Sequence, residues 1–442
     1  MSKYVIIGNS SAAIGCIEGI RKTDTEGSIT LIASEPHHCY GRPLISYYLE
    51  GKTDAEHMKY RPDSFYADNG VETMLGENVT GIDPITKTVT LQNGNSLRYD
   101  KLLVATGSSP RVFPAPGMDS VEHKTSFMTL NDMKYLEKHA DQRSRILIVG
   151  AGLIGLKCAE GLKNRVLSVT VVEFMKQILP SALTPKAAAR VQAQMEANGI
   201  HFYINNAVGE YKKAPPASAD SVTLRDGSEV SALLANAESK YPDNTYTAVL
   251  KDGTEIPFDI LVLATGVTPN TALVKDAGGT VNRGIVVDAD SRTSLPDIYA
   301  AGDCTESVDV TTGETKIMAL LPNAYHQGEA AGRHMAGAAA PFEEALPLNA
   351  VGFFGMHILS AGSYTQDILL EEDTNEYYRV FYGEGDKLTG FILIDKYARA
   401  GIYTDILRHG TPITEALLKE PGLLPFSREC RDEILTQKGG KN

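Results

Sequence analysis

Ile146-Leu147-Ile148-Val149-Gly150-Ala151-Gly152-Leu153-Ile154-Gly155 is the stretch that decides the fold. The first four residues read as a buried strand, the glycines as a tight turn, and the apolar run from Leu156 to Lys163 as a helix. A second apolar run, Ser168 to Val172, ends on Glu173. Gly150 permits the turn, Gly152 lets a diphosphate approach the backbone, and Gly155 lets the helix pack on the strand. The helix N-terminus at Leu153 and Ile154 carries free N–H groups and a partial positive charge, which suit a diphosphate. Glu173, 23 residues after Gly150, is placed to accept a ribose 2′-hydroxyl. Strand, turn, helix, strand and acid all agree, which a bare G-x-G-x-x-G does not offer. A carboxylate repels a 2′-phosphate, and Phe174-Met175-Lys176 supplies no arginine, so NADH is favoured over NADPH.

The chain has 442 residues, enough for about three domains. Its net charge of −13 argues against nucleic acid and anionic membrane as partners. No apolar run reaches spanning length, and Met1-Ser2-Lys3-Tyr4-Val5 leads straight into a strand, so a cytoplasmic protein without a signal peptide is expected. The five cysteines are scattered, with no C-x-x-C pair, which fits a reducing compartment and no cysteine-built metal site. His37-His38-Cys39 is too contiguous to converge on one ion, and no metal is expected.

The device at residue 150 has a worn copy near the start. Tyr4-Val5-Ile6-Ile7 is a strand, Gly8-Asn9-Ser10-Ser11-Ala12-Ala13 the turn, and Ile29-Thr30-Leu31-Ile32 the next strand, with Glu35 beyond it. Ser10 and Ala13 stand where glycines would, and both are small. Beside the clean copy, this reads as a second dinucleotide site. Leu102-Leu103-Val104-Ala105-Thr106-Gly107 likewise recurs as Leu261-Val262-Leu263-Ala264-Thr265-Gly266. The second unit is 17 residues longer, and the excess falls in 205–256, where Leu224-Arg225-Asp226-Gly227 and Leu250-Lys251-Asp252-Gly253 look like hairpin turns of a surface elaboration. Asn323 to Met335 reads as a helix. From Pro341 the pattern changes to alternating strands, as in Tyr377–Tyr382 and Leu388–Ile394, followed by helical runs near 397–409 and 412–420. The tail Gln437–Asn442 is expected to be disordered.

These motifs, with Ala105-Thr106-Gly107-Ser108-Ser109-Pro110-Arg111 and Ala300-Ala301-Gly302-Asp303, resemble the FAD-dependent pyridine nucleotide–disulfide oxidoreductases over roughly residues 1–400. The resemblance implies an α/β fold with two Rossmann-like dinucleotide-binding domains, for FAD and NAD, plus a C-terminal α+β interface domain. It divides the chain into 1–111 (FAD), 112–268 (NAD, with extra β-structure near 205–256), 269–336 (FAD again) and 341–442. By the same resemblance FAD lies against Gly8, Ser10, Ala12, Ala13, Glu35, Arg42, Pro43, Val79, Ala105, Thr106, Gly107, Arg111, Gly302 and Asp303. Glu35 would hold its ribose and Asp303 its ribityl chain. The helix at 323 would point its N-terminus at the flavin. NAD(H) is expected at Gly150, Gly152, Leu153, Ile154, Gly155, Glu173 and Gly266.

The branch turns on residues 39–48. No C-x-x-x-x-C helix stands near residue 40. Tyr47-Tyr48 sets the register of the one-cysteine members, and Pro43 occupies their cysteine position, with Cys39 four residues early. Tyr40-Gly41-Arg42-Pro43-Leu44-Ile45-Ser46 instead resembles the Tyr-x-(Arg/Lys)-Pro-x-x-Ser stretch of rubredoxin and ferredoxin reductases and of the nitrite reductase flavin part. That likeness places Arg42 near the flavin N5 edge. Lys157 stands where the family usually has a glutamate, and Glu160 lies one turn on. Either Glu160 pairs with Arg42 or the site is more cationic than usual. The expected activity is NADH-dependent electron transfer through FAD to a small iron protein, rubredoxin or ferredoxin-like, with Arg42, Glu160 and Lys157 as catalytic candidates and a homodimer as one possible assembly. The alternatives are an NADH oxidase, peroxidase or coenzyme A-disulfide reductase using Cys39, and a flavin subunit of a larger metalloenzyme complex. Lys396, Arg399 and Arg408 are candidates for a local basic patch facing an acidic partner.

Overall fold

Runs of Val, Ile and Leu without alternation predict strands buried on both faces, which is the environment of a parallel sheet. The computed structural model describes residues 1–213, 245–339, 341–342 and 345–419. Its described residues divide into two compact units: Met1–Asp309 with Glu314–Ala345 and Phe353–Gly355, and Val310–Gly313 with Leu346–Gly352 and 356–419.

The first unit holds two five-stranded sheets. In one, the parallel order is Ile298–Ala300, Lys101–Val104, Lys3–Ile7, Ser28–Ala33, Val71–Leu75. Its helices are α1 (Ser11–Arg21), the short α2 (Leu44–Glu50) and α3 (Phe65–Asp68), and a long helix Leu321–Met335 that begins two residues earlier than its sequence pattern indicates. In the other sheet the parallel order is Ile200–Ile204, Ser168–Glu173, Arg145–Val149, Ile260–Leu263, Lys124–Thr125. It carries α4 (Leu130–His139), α5 (Leu153–Leu162) and α6 (Pro185–Ala197). Every residue of Ser168–Glu173 is buried. Each fully buried Val, Leu or Ile in such a strand contributes about 1.5–3 kcal/mol. At the base of this sheet the buried Arg145 grips Asp259 through Nε at 3.0 Å and Nη2 at 2.8 Å. Removing one partner of such a pair costs about 3–5 kcal/mol.

The strands Ser108–Pro110 and Val267–Pro269, which follow the two Ala-Thr-Gly turns, pair with each other as an antiparallel ribbon. The repeated sequence motif therefore has a structural partner in its own copy. Asn270 fastens the ribbon: its Nδ2 donates to the Thr106 carbonyl at 2.9 Å, and Thr106 Oγ1 donates to the Asn270 carbonyl at 2.7 Å.

Around the span 205–256 the described residues form an antiparallel sheet of Val208–Lys212, Tyr246–Leu250 and Glu255–Phe258, with a turn at Leu250–Gly253. Its place corrects the reading of a surface elaboration. Tyr211, Tyr246 and Phe258 pack with Leu147, Val172 and Leu261 in one buried cluster, so these strands cover a face of the second parallel sheet. The turn at Leu224–Gly227 and the tail Gln437–Asn442 lie outside the described residues.

The second unit, from Leu346 to Gly352 and from Met356, carries most of a five-stranded sheet in the order Leu348–Phe353, Met356–Gly362, Lys387–Ile394, Tyr378–Glu384, Asp367–Asp373. Helices Ala400–His409 and Glu415–Lys419 follow. Phe381, Phe391 and Tyr403 form its aromatic core, with Phe381 and Tyr403 edge-on at 4.7 Å. The acidic run Glu371–Asp373 ends the strand Asp367–Asp373. Arg379 clamps Glu372 with Nε at 2.6 Å and Nη2 at 2.7 Å, holding that carboxyl down at about 2. Lys396 lies on the same carboxylate at 3.4 Å, so it is committed within the unit. Among the described residues, no helix is long and apolar enough to cross a membrane.

Candidate functional site

The first parallel sheet ends in a cleft of about 420 Å³. Gly8, Ser10, Ala12, Glu35, Arg42, Val79, Ala105, Thr106, Gly107, Gly302 and Asp303 line it, so one cavity gathers eleven of the fourteen residues expected to hold FAD. Gly8 has φ +120°, and a Cβ there would lie 2.1 Å from the Ala105 carbonyl oxygen, so neither conformation nor space admits a side chain. Ser10 is the N-cap of α1 and offers no side-chain cap, leaving the helix N–H groups toward the cleft. A second helix contributes its first turn, since Leu321 and Ala324 of Leu321–Met335 also line the cleft. Its Gln327 Oε1 accepts from the Gly302 N–H at 2.8 Å and anchors the Asp303 turn. A groove floored by a tight glycine turn, open at a helix N-terminus and flanked by acids fits an adenine dinucleotide.

Glu35 is the hub of the cleft. Arg42 Nη2 donates to its Oε1 at 2.5 Å, and Tyr40 Oη donates to its Oε2 at 2.7 Å. Arg42 Nη1 also donates to the Met128 carbonyl at 2.9 Å, and Tyr40 Oη accepts from the Leu130 N–H at 2.9 Å. The segment that opens α4 is thereby tied to the rim of the cleft. Burial works against the Arg42 cation, but Tyr40, Glu35 and Asp303 outweigh it and hold its pKa above the ordinary value. Burial pushes the Asp303 carboxyl up, opposed by Arg42 and by Ser108, whose Oγ donates at 3.5 Å.

Sequence reasoning missed Asn9, Tyr40 and Asn270 as cleft residues. Asn9 Oδ1 accepts from Tyr66 Oη at 2.6 Å and its Nδ2 donates to the His37 carbonyl at 3.1 Å, so this side chain braces the glycine turn. Asn270 had a signal in its offset from the repeated Ala-Thr-Gly strand. His37 Nε2 pairs with Asn131 Oδ1 at 2.9 Å, and His38 Nδ1 with the Cys39 carbonyl at 3.1 Å.

Three expected contacts lie elsewhere. Ala13 faces the core of α1, where a third glycine would serve packing. Pro43 is the N-cap of α2, beyond the lining. Arg111 donates through Nε to Thr268 Oγ1 at 3.3 Å and through Nη2 to the Val267 carbonyl at 3.2 Å, fastening the ribbon between the sheets. Cys39 is 1% exposed, packed with Phe65 and Tyr66, and burial raises its thiol to about 12. No cysteine is among the residues lining the cleft. Cys16, Cys158 and Cys304 are buried free thiols.

The second glycine turn repeats the geometry. Gly150 has φ +109°, and a Cβ there would meet the Ala264 carbonyl oxygen at 2.2 Å. At Gly155 it would meet the Gly150 carbonyl at 2.0 Å, which is the close helix–turn packing the motif requires. Gly152 is the N-cap of α5 and faces open space, and Leu153 and Ile154 form the first turn. Gly266 carries the adjoining Ala-Thr-Gly turn, and its carbonyl accepts the Arg111 N–H at 2.9 Å. Glu173, 8% exposed, accepts from the Ala151 N–H and from the Met175 N–H, each at 2.7 Å. A cleft of about 460 Å³ lies just beyond it, lined by Phe174, Met175, Lys176, Asn206 and Lys251 among others.

Glu160 does not pair with Arg42. Arg42 is held by Glu35, while Glu160 takes the Lys157 ammonium on Oε2 and the Phe354 N–H on Oε1, the latter at 2.7 Å. The reason is local: Lys157 and Glu160 share one face of α5, and Arg42 points into the first cleft. The Lys157 ammonium also lies 4.5 Å over the Tyr47 ring and 5.6 Å from the Phe353 ring.

Comparison with known proteins agrees with this geometry. Residues 2–328 match the pyridine nucleotide-disulphide oxidoreductase family. The chain is 30% identical over 422 residues to the NADH-dependent phenylglyoxylate dehydrogenase subunit epsilon of Aromatoleum evansii, covering 93% of each. It is 31% identical over 401 residues to the assimilatory nitrate reductase electron transfer subunit of Bacillus subtilis (strain 168), covering 88% of this chain but 47% of that protein. It spans half of the Bacillus subtilis nitrite reductase. The fold superposes on putidaredoxin reductase in its covalent complex with putidaredoxin with a TM-score of 0.83 and 23% identity, over 100% of this chain and 99% of that one. With both glycine turns and both Ala-Thr-Gly strands inside the matched span, the chain belongs to the pyridine nucleotide-disulphide oxidoreductase family.

Proposed function

We propose that this protein is an FAD-dependent NADH oxidoreductase that passes electrons to a small iron protein of rubredoxin or ferredoxin type. The observation that carries the reading is the pairing of two built dinucleotide sites with a cleft that no cysteine lines. FAD, when bound, supplies the step from two-electron to one-electron chemistry. The chain's own residues do the rest. Gly8, Ser10 and the N-terminus of α1 receive one diphosphate, and Gly150, Gly152 and the N-terminus of α5 the other. Glu35 and Glu173 accept the respective ribose hydroxyls. Arg42 keeps the Glu35 side of the first cleft from accumulating negative charge. Cys39 is buried and its thiol raised, which disfavours it as a redox relay. The four cysteines among the described residues are buried free thiols, which supports a reducing compartment such as the cytoplasm.

Stopped-flow mixing of the NADH-reduced holoenzyme with rubredoxin, ferredoxin, dioxygen and coenzyme A disulfide in parallel tests this. Reoxidation by an iron protein should be at least about tenfold faster than by the other acceptors. Faster reoxidation by oxygen or disulfide would overturn the proposal. A second reading, a flavin subunit of a larger metalloenzyme complex, is supported by the near full-length likeness to a dehydrogenase subunit. Copurification of the native protein with a metalloenzyme at fixed stoichiometry distinguishes it.

A further inference from the structure

Beyond Glu173 the second site opens into a cleft whose charge NADH does not explain. Phe174, Met175, Lys176, Asn206 and Lys251 are among the residues lining this space of about 460 Å³. Phe174 is 68% exposed, so its ring face is available to a base. Lys176 and Lys251 bring two ammoniums, and among the described residues neither has an ion-pair partner. Asp252, beside Lys251, accepts from the Thr254 N–H at 3.0 Å within its own turn. In a chain with 42 cationic and 55 anionic side chains, two unpaired cations in one cleft are a local excess.

The fold brings the two lysines to the ribose position from different directions. Glu173 takes the Ala151 N–H on Oε2 and the Met175 N–H on Oε1. Its carboxylate therefore lies between the glycine turn and the residue before Lys176. The Asn206 N–H donates to the Glu173 carbonyl at 3.0 Å, and the Lys251 N–H donates to the Ala207 carbonyl at 2.9 Å. Lys251 is thus two hydrogen-bonded strand spacings from Glu173, roughly 10 Å. An extended lysine side chain and a phosphate on the ribose span that distance between them. The turn after Tyr246–Leu250 delivers a cation that the glycine motif itself does not contain.

NADH carries its phosphates in the diphosphate, which the N-terminus of α5 receives, and only hydroxyls on its adenosine ribose. We infer that Lys176 and Lys251 form a phosphate subsite for a nucleotide phosphorylated on that ribose, so that the second site admits NADPH as a weaker ligand despite Glu173. This rests on the NADH reading above. A phosphate on the 2′-oxygen is repelled by the Glu173 carboxylate and turns into the cleft, where the two ammoniums meet it. Glu173 and the lysines act in opposite senses, and the preference for NADH is the difference between them.

The test is equilibrium binding of ADP-ribose and 2′-phospho-ADP-ribose to the oxidised holoenzyme, since these probes differ by that phosphate alone. The ratio of the second Kd to the first should exceed one in the wild type. Lys251→Gln should raise the ratio about threefold, Lys176→Gln about as much, and the double variant about tenfold. Most of the change should fall on the phosphorylated probe. Glu173→Gln should lower the ratio, and removing the lysines in that background should raise it again. The lysine effects should fade as salt rises from about 0.02 M to about 0.5 M, because exposed charges are screened. Lysine variants that leave the ratio at its wild-type value, or that weaken both probes equally, would overturn the inference. Failure of ADP-ribose to bind the wild type would refute the NADH reading and the inference with it. A wild-type ratio below one, with the lysine effects intact, would overturn the preference for NADH and keep the subsite.

Discussion

The two glycine turns pose one chemical problem and the chain solves it in two ways. Each turn is followed by a glutamate meant for a ribose. Glu35 is held by side chains, Arg42 and Tyr40, and the first of these cancels its charge. Glu173 is held by backbone N–H groups of Ala151 and Met175, and among the described residues no side-chain cation pairs with it. A neutralised acid suits a site that must retain a diphosphate through every turnover. An acid that keeps its charge suits a site that must admit NADH, reject a 2′-phosphate and let product go. The difference between prosthetic group and exchanging substrate is thus written in what holds each carboxylate.

Replacing the first glycine of either turn should separate the sites most sharply. Gly8→Ala must displace the Ala105 carbonyl, and Gly150→Ala the Ala264 carbonyl, at φ values that alanine resists. Gly8→Ala should purify without FAD. Gly150→Ala should keep its FAD yet show no bleaching by NADH at concentrations that saturate the wild type. Equal loss of flavin in both variants would break the distinction.

Exchange of the acids' partners comes next. Arg42→Ala leaves Glu35 and Asp303 facing a diphosphate without their cation, so FAD affinity should fall by about tenfold or more. Glu173→Ala should leave FAD binding unchanged and erase most of a preference for NADH over NADPH of at least about tenfold. The flavin Kd and the NADH/NADPH ratio of kcat/KM check these. A loss of FAD from Glu173→Ala, or none from Arg42→Ala, would contradict the account.

Much of this was legible in the sequence because it is local. An apolar run, a glycine at a fixed offset and a terminal acid are chain neighbours, and so both turns and both Ala-Thr-Gly strands could be read from spacing. The partners were not legible. Arg42 reaches Glu35, seven residues away, only because the Tyr40–Pro43 loop folds back over the cleft, and its expected partner Glu160 is claimed by Lys157 on its own helix. Arg145 with Asp259, and the packing of Tyr211 and Phe258 on the second sheet, depend on contacts that no local pattern encodes.

A smaller effect is expected from pH. Burial raises the Asp303 carboxyl above its ordinary 3.8, so the folded protein holds this proton more tightly than the unfolded chain does. Stability from this group is complete below that ordinary value and is lost as pH rises through the raised one. In FAD-stripped protein, Asp303→Asn should therefore raise Tm at about pH 7. That gain should shrink toward zero near pH 4. A gain that stays constant with pH would show that the charge of Asp303 is not what costs stability.

The most direct test of the central claim is the electron count. Anaerobic titration of the holoenzyme with NADH should bleach the flavin completely at one NADH, two electrons, per FAD, and Cys39→Ser should titrate identically. A requirement for four electrons, with a long-wavelength band lost in Cys39→Ser, would place a redox thiol beside the flavin and contradict the account.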